Sequence, residues 1–385
     1  MRGDGGVLTL RHYLDHASSS PLRPVALEAM LPFLADHHGD PGRVHAEGHV
    51  TRVAVEHARE QVAAALGARP REVVFTSSGT EAVNAAVFGA IERGARSDRS
   101  HVVATAVEHS SVLDACRRSR VDLTVVGVDR DGAVDAEEVI AAVRDDTVLV
   151  NVQFANHEVG TIQPAAAVAK ACRDHDALVH VDACAATGYA RLDFDAIGCD
   201  LLTVTAHKLG GPKGAGALLV RRGLRVEPFI VGGAQERTRR GGIENVPAIV
   251  GFGAAIEEAA ATLDAEHIRL LLLTERLVRD VQASVGGISI FGDPAYRLPH
   301  LVCLGVDGVE AEPVLLALDQ RGVAVHSGSS CSSETLEPSP VLEAMGVDAD
   351  HSLRISAGWS STDADVDAFL DAFPSVVDGL RALRS

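Results

Sequence analysis

The sequence predicts an α/β protein, with a large unit built on a mostly parallel seven-stranded sheet and a smaller C-terminal α/β unit. Three observations carry this. Seven short apolar runs rich in β-branched residues lie between positions 73 and 220. Helical stretches separate several of them, the alternation that places strands side by side under a cover of helices. Beyond about residue 255 the texture changes to one long Glu/Leu/Arg helix followed by short strands. The length of 385 residues suits two or three domains at roughly 150 residues each.

In chain order, residues 51–66 come first, with helical amphipathic spacing. The runs VVFT (73–76), HVVAT (101–105), LTVV (123–126) and TVLVNVQ (147–153) read as buried strands, as do LVHVDA (178–183), LLTVTA (201–206) and GALLV (216–220). Helices are expected over 80–94, 109–119, 135–144 and 162–175. The long helix spans 256–284; strands near 288–291, 300–306, 323–326 and 353–356 alternate with helices at 310–320 and 363–383. The large unit is therefore 15–257, and the small unit combines 1–14 with 258–385.

Composition removes several function classes. The net charge is −18 and aromatic residues make up 4%, so a phosphate backbone is repelled and bases find few stacking platforms; nucleic acid is not an expected partner. No apolar run approaches the ~18 residues of a membrane span, and no secretory leader is legible, so no membrane is expected and the expected location is cytoplasmic. Six cysteines occur without a C-x-x-C pair, which speaks against a disulfide framework or a zinc site. HAEGH (45–49) is not H-E-x-x-H and carries Gly48, so no metal is expected there. Only three basic residues are lysines: Lys170, Lys208 and Lys213. Arginine cannot shed its proton to become a nucleophile, which draws attention to the lysines that remain.

Ligands of open parallel sheets bind beyond the carboxyl ends of the strands. Residues just past each apolar run are therefore the candidates. They are Ser77-Ser78-Gly79-Thr80-Glu81 opening a helix, Glu108-His109, Asn156-His157-Glu158, Asp182, and His207-Lys208 before the glycine cluster LGGPKGAG. Singly, each has a plain reading as a cap, a satisfied polar residue or a surface lysine. Together they supply what a pyridoxal phosphate site needs: an amine, an acid for the pyridine nitrogen, a flat ring to stack, and a helix N-terminus for the phosphate.

The chain resembles the cysteine desulfurases, within the class V aminotransferase group of fold type I pyridoxal-phosphate enzymes. The resemblance rests on YLDHASSSPL (13–22), FTSSGTEAVN (75–84), VEHSSVLDA (107–115), ANHEVGTIQP (155–164), VDA (181–183) and TAHKLGGPKGAGALLVRR (205–222). It continues in GGAQERTRRGGIENVPAIVGFGAA (232–255), VAVHSGSSCSSETLEPSPVLEAMG (323–346) and SLRIS (352–356). It implies a pyridoxal 5'-phosphate cofactor held covalently by Lys208, whose amine must be deprotonated to act. Asp182 would pair with the pyridine nitrogen, and His109 would stack on the ring and move protons. Gly79, Thr80, Thr205 and His207 would take the phosphate, and Arg354 the substrate carboxylate through its bidentate fork. Cys331, set among serines and glycine, would accept sulfur as a thiolate. The implied reaction converts L-cysteine to L-alanine and leaves a persulfide on Cys331 for an acceptor protein. A homodimer is implied as well, with 232–247 reaching across.

Three positions depart from the family pattern: Ala185 where glutamine is usual, His157 for asparagine, and Ile243 for the threonine sent to the neighbouring phosphate. His157 is expected to replace the missing contact to the cofactor or to meet the substrate. Cys184, beside Asp182, is expected near the site, and the remaining cysteines in the core. Related activities stay open, namely a selenocysteine lyase, a transaminase-like enzyme or a non-catalytic sulfur-relay protein. So does the destination of the sulfur, whether iron–sulfur clusters, thionucleosides or a secondary metabolite.

Overall fold

The computed structural model describes residues 11–327 and 338–383. Thirteen strands are found among them. The first, β1 (His12–Tyr13), precedes the large sheet, which contains β2 (Val73–Thr76), β3 (His101–Thr105), β4 (Asp122–Val126), β5 (Thr147–Gln153), β6 (Leu178–Asp182), β7 (Leu201–Thr205) and β8 (Gly216–Val220). Their spatial order is β2-β8-β7-β6-β5-β3-β4, with only β8 antiparallel to its neighbours. The mostly parallel α/β sheet expected from the sequence is present. Every residue of β3, β5, β6, β7 and β8 is buried, as helices on both faces require. At the edge, β4 exposes Asp122 and Val125.

The C-terminal strands are β9 (Ile288–Phe291), β10 (Leu301–Val306), β11 (Val323–Ala324), β12 (His326–Ser327) and β13 (Ser352–Ser356). Four of them form an antiparallel sheet in the order β12-β13-β10-β9. The fifth, β11, pairs in parallel with β1, so the N-terminal segment is tied to this unit. The helices Ala311–Gln320 and Asp363–Ala382 pack on each other.

Several helices differ from the sequence expectation, among them the first and the longest. A helix at Pro24–Ala35 carries Pro32 inside it and leaves Leu27, Leu31 and Leu34 exposed, which blurs its amphipathic signal. The long helix runs Val246–Ser284 rather than starting at 256, with Asn245 accepting from the Ala248 N–H at its start. Gly251 and Gly253 look like breakers in sequence, but here they allow close packing. A Cβ on Gly251 would come 2.6 Å from Met30 Cγ, and one on Gly253 would come 2.8 Å from the Ala58 backbone. This helix is long and apolar enough by composition to cross a membrane, a correction to the expectation that no such stretch exists. Its apolar face is instead covered by the helices Pro24–Ala35 and Ala46–Ala65. The latter begins at His45, whose ring accepts from the Gly48 N–H at 3.2 Å; that is the local role of the HAEGH segment.

A buried ion pair fixes the segment after β8. Arg59 donates to both carboxylate oxygens of Glu236 at 2.7 Å and to the Val73 carbonyl at 3.0 Å. Glu236 also accepts from the Phe75 N–H at 2.9 Å, so the segment is stapled to edge strand β2. Glu236, Arg237 and Thr238 all have left-handed backbones, with φ of 48°, 58° and 67°. Such conformations cost L-residues roughly 1–2 kcal/mol each and need compensation from their surroundings. Glu236→Ala would leave the buried guanidinium with only the half-exposed Glu56 as an anionic partner, at 3.0 Å, and a loss of about 3 kcal/mol in urea unfolding is expected. A loss under about 1 kcal/mol would show that water reaches the pair.

Candidate functional site

A cavity of about 280 Å³ opens where the carboxyl ends of β5, β6 and β7 meet the start of the helix Gly79–Ala95. Register explains the convergence. Gln153 of β5 lies opposite Asp182 of β6, and Asp182 lies opposite Thr203 of β7. β5 and β6 therefore end level and β7 runs on to Thr205, and residues at and just past these ends line one space.

The helix start is built for an anion. Ser78 caps it by accepting from the Glu81 N–H at 3.1 Å, and Glu81 accepts from the Ser77 N–H at 2.9 Å. Arg240 holds Glu81 from outside at 2.9 Å. Burial opposes the charge on Glu81, but the Arg240 and Ser77 bonds outweigh it and keep the carboxyl below its ordinary range. Gly79 has no room for a side chain: a Cβ there would lie 2.6 Å from Cys184 Sγ. Thr205 faces the same cavity, and its buried hydroxyl finds no partner among the described residues. Thr80 and His207 complete this wall. Burial first, then Lys208 and Lys213, pull His207 down to about 4, so its ring is neutral at pH 7.

Asp182 sits on the adjoining wall. It accepts from the Cys184 N–H at 2.9 Å. Burial disfavours its charge, yet that bond and the nearby His109 and His180 hold it below the usual carboxylate range. Below it in the sheet, His180 bridges Asn151 of β5 at 3.0 Å and Thr203 of β7 at 2.8 Å, and burial lowers it to about 4.

His109 stands at the start of the helix Ser110–Arg118, where its Nδ1 accepts from the Ser111 N–H at 3.1 Å. The His157 ring lies edge-on to it, centroids 5.1 Å apart. The Lys208 carbonyl accepts from Ser20 Oγ at 2.6 Å and from the Tyr189 hydroxyl at 3.0 Å, which fixes the backbone that carries the amine. Arg354, on β13 of the other sheet, is 1% exposed. Its guanidinium donates to the His157 carbonyl at 3.1 Å, to Asp15 at 3.0 Å and to Ser18 at 2.7 Å.

Nine of the ten sequence candidates thus line one cavity: Gly79, Thr80, His109, His157, Asp182, Thr205, His207, Lys208 and Arg354. Cys331 lies outside the described residues. Ala185 and Cys184 also line the cavity, while Ile243 stands away from it and is 63% exposed. Asp15, Ser18, Ser20 and Tyr189 are not distinguishable as site residues in the sequence. The stretch YLDHASSSPL hints at the first three, but their partners lie 170 to 340 positions away.

The family model for aminotransferase class-V matches residues 12–369. The chain belongs to this family. Curated relatives are cysteine desulfurases. The IscS of Dictyoglomus turgidum is 40% identical over 377 residues, covering 96% of this chain and 95% of the relative. The human cysteine desulfurase is 39% identical over 380 residues, covering 96% and 82%. Among solved structures, a NifS-like protein aligns with a TM-score of 0.90 at 31% identity over 96% of this chain and all of its own. A second, from Rickettsia africae, gives a TM-score of 0.87 at 29% identity, covering 96% of this chain and 99% of its own. A third, titled SspA in complex with cysteine, gives a TM-score of 0.79 at 29% identity over 91% of this chain and all of its own. The resemblance to cysteine desulfurases and the α/β fold expected from it are borne out.

Neutral buried imidazoles make a pH prediction. His16, His180 and His207 sit near 4 because burial penalises the charged ring, whereas unfolded histidines titrate near 6.5. Their stability contribution is complete above 6.5 and is lost as pH falls towards 4. The urea midpoint of the protein should drop across that interval, and the His180 ring resonances should keep their neutral positions at pH 5. Protonation of His180 near 6.5 would contradict the burial argument.

Proposed function

We propose that the protein is a pyridoxal 5'-phosphate-dependent cysteine desulfurase acting in the cytoplasm, with L-cysteine as substrate and L-alanine as product. The observation that carries the proposal is the joining of an amine, an ionised acid, an imidazole and a helix N-terminus around one cavity. The residues present fit the cofactor. The unpartnered Thr205 hydroxyl, lining the cavity together with Gly79 and Thr80 at the helix start, offers a place for a phosphate, and the depressed Asp182 suits a protonated ring nitrogen. When bound, the cofactor supplies an electron sink for the substrate's Cα and Cβ.

The chain's own residues do the rest. Lys208 offers the amine that holds the cofactor, with its backbone locked by Ser20 and Tyr189. Asp182 would hold a negative charge for the protonated ring nitrogen of the cofactor. His109 gives a flat face and a site for a proton, and its orientation is set by Ser111. His157 stands edge-on to it, where it takes the place of the contact that Ala185 cannot make. Arg354 orients the substrate carboxylate, exchanging part of its bonding to Asp15 and Ser18 for the ligand. Cys331 takes the sulfur: an S–S bond forms to the Cys331 thiolate as the substrate Cβ–S bond breaks. The electron pair left on carbon takes up a proton, and alanine leaves. The persulfide then passes to an acceptor protein.

The homodimer is part of the same proposal. Leu27, Leu31 and Leu34 recur at i, i+4 and i+7 on one exposed helix face, an apolar stripe a second copy would cover, and Ile243 is exposed as well. Leu31→Glu should shift sedimentation towards monomer; an unshifted dimer would place the contact elsewhere.

Incubation with L-cysteine and a thiol reductant should yield alanine and sulfide in equal amounts. Cys331→Ser should lose at least about a hundredfold of that activity while keeping the visible band of the bound cofactor. Lys208→Ala should lose both. His157→Ala should shift the band and its titration, and an unchanged spectrum would remove His157 from the site. Equal turnover by Cys331→Ser would point to a lyase or transaminase-like reaction that needs no protein thiol.

A further inference from the structure

Glu108 immediately precedes His109 and has no part in the proposed reaction. Its carboxyl is buried, with 3% of the residue exposed. One oxygen accepts from Thr105 Oγ1 at 2.7 Å and from the Gln153 N–H at 2.8 Å. That single atom therefore joins the carboxyl end of β3 to that of β5. The same turn is stitched a second time, because Gln153 and Asn156 both donate to the Val107 carbonyl, at 2.6 and 3.2 Å. The backbone that aims the His109 ring is thus held on β5 through Glu108 and its neighbour.

The second carboxylate oxygen is buried and has no partner among the described residues, and no arginine or lysine among them offsets its charge. The titratable groups that face it are Asp182 from β6, His157 from the loop after β5, and Cys116 from the following helix. None supplies a fixed positive charge. An unpaired carboxylate in such surroundings costs far more than an unpaired hydroxyl. Burial first, then repulsion from Asp182, push this carboxyl up to about 8, against the opposing pull of the Thr105 and Gln153 bonds and of His157.

We propose that Glu108 is a positioning residue that works as an uncharged acid, fixing the turn that aims His109 and leaving the negative charge of this corner to Asp182. The first half stands on the geometry of this chain alone; the second rests on the proposed cofactor site. A charged Glu108 would add a second anion beside the acid that must hold a protonated ring nitrogen.

The test compares wild type, Glu108→Gln and Glu108→Ala, first without cofactor. At pH 7 the infrared spectrum of cofactor-free wild type should contain a protonated carboxylic-acid C=O stretch that Glu108→Gln lacks. The folded protein keeps a proton that the unfolded chain releases near 4.5, so the stability it confers declines as pH rises from there to about 8. The unfolding free energy of wild type minus that of Glu108→Gln should therefore fall across that interval with the slope of one proton. With cofactor bound, Glu108→Gln should keep kcat at pH 7 within about threefold and lose an alkaline transition of the visible band. Glu108→Ala, which drops both acceptor contacts, should lose about tenfold or more in kcat. A wild type without the acid stretch, or a flat stability difference, overturns the proposal, as does a Glu108→Gln enzyme as impaired as Glu108→Ala. A protein that shows the stretch and the slope but binds no cofactor would defeat the functional reading and leave the neutral acid standing.

Discussion

The lateral register of β5, β6 and β7 is the constraint on which the site depends. Gln153, Asp182 and Thr203 stand opposite one another in a ladder whose strands are buried on both sides. A slip of one residue would turn Asp182 away from the cavity and bring His180 or Val181 to the wrong face. The buried polar rung from Asn151 through His180 to Thr203 works against such a slip, because displacement would strand several polar atoms without partners. Sheet energetics and site geometry are in this sense one property.

A second level of control comes from segments far apart in the chain. Arg59 and Glu236 hold the loop after β8 onto β2, and Arg240 of that loop steadies Glu81 at the helix start. Residues 15–20 reach the other side, where Ser20 meets Lys208 and Asp15 meets Arg354. Glu81, Lys208 and Arg354 are thereby held by partners from distant parts of the chain. Removing one such partner perturbs orientation without removing the reacting group.

Much of this is legible in the sequence, for definable reasons. Buried parallel strands are continuous apolar runs, so β2 to β8 stand out, and the rule that ligands collect beyond their carboxyl ends leads to Asp182, His109, His157 and Lys208. Local ambiguity and distant pairing hide the rest. Gly251 and Gly253 read as breaks because their packing against Met30 and Ala58 depends on another helix. The exposed leucines of Pro24–Ala35 hide its period. Glu108 reads as a neighbour of His109 because its bond to Gln153 crosses from one strand to another. Asp15 and Tyr189 belong to the site only through contacts that close over long loops.

Arg354 occupies a seam. It hangs from the antiparallel C-terminal sheet and grips Asp15 and Ser18 of the N-terminal segment bridged to the same strand, while its bond to the His157 carbonyl reaches across to the loop after β5. One guanidinium therefore serves both the anion grip and the contact between the two sheets. A carboxylate that recruits this guanidinium competes with the His157 carbonyl as well as with Asp15 and Ser18, so ligand occupancy and the strength of the seam are thermodynamically conjugate.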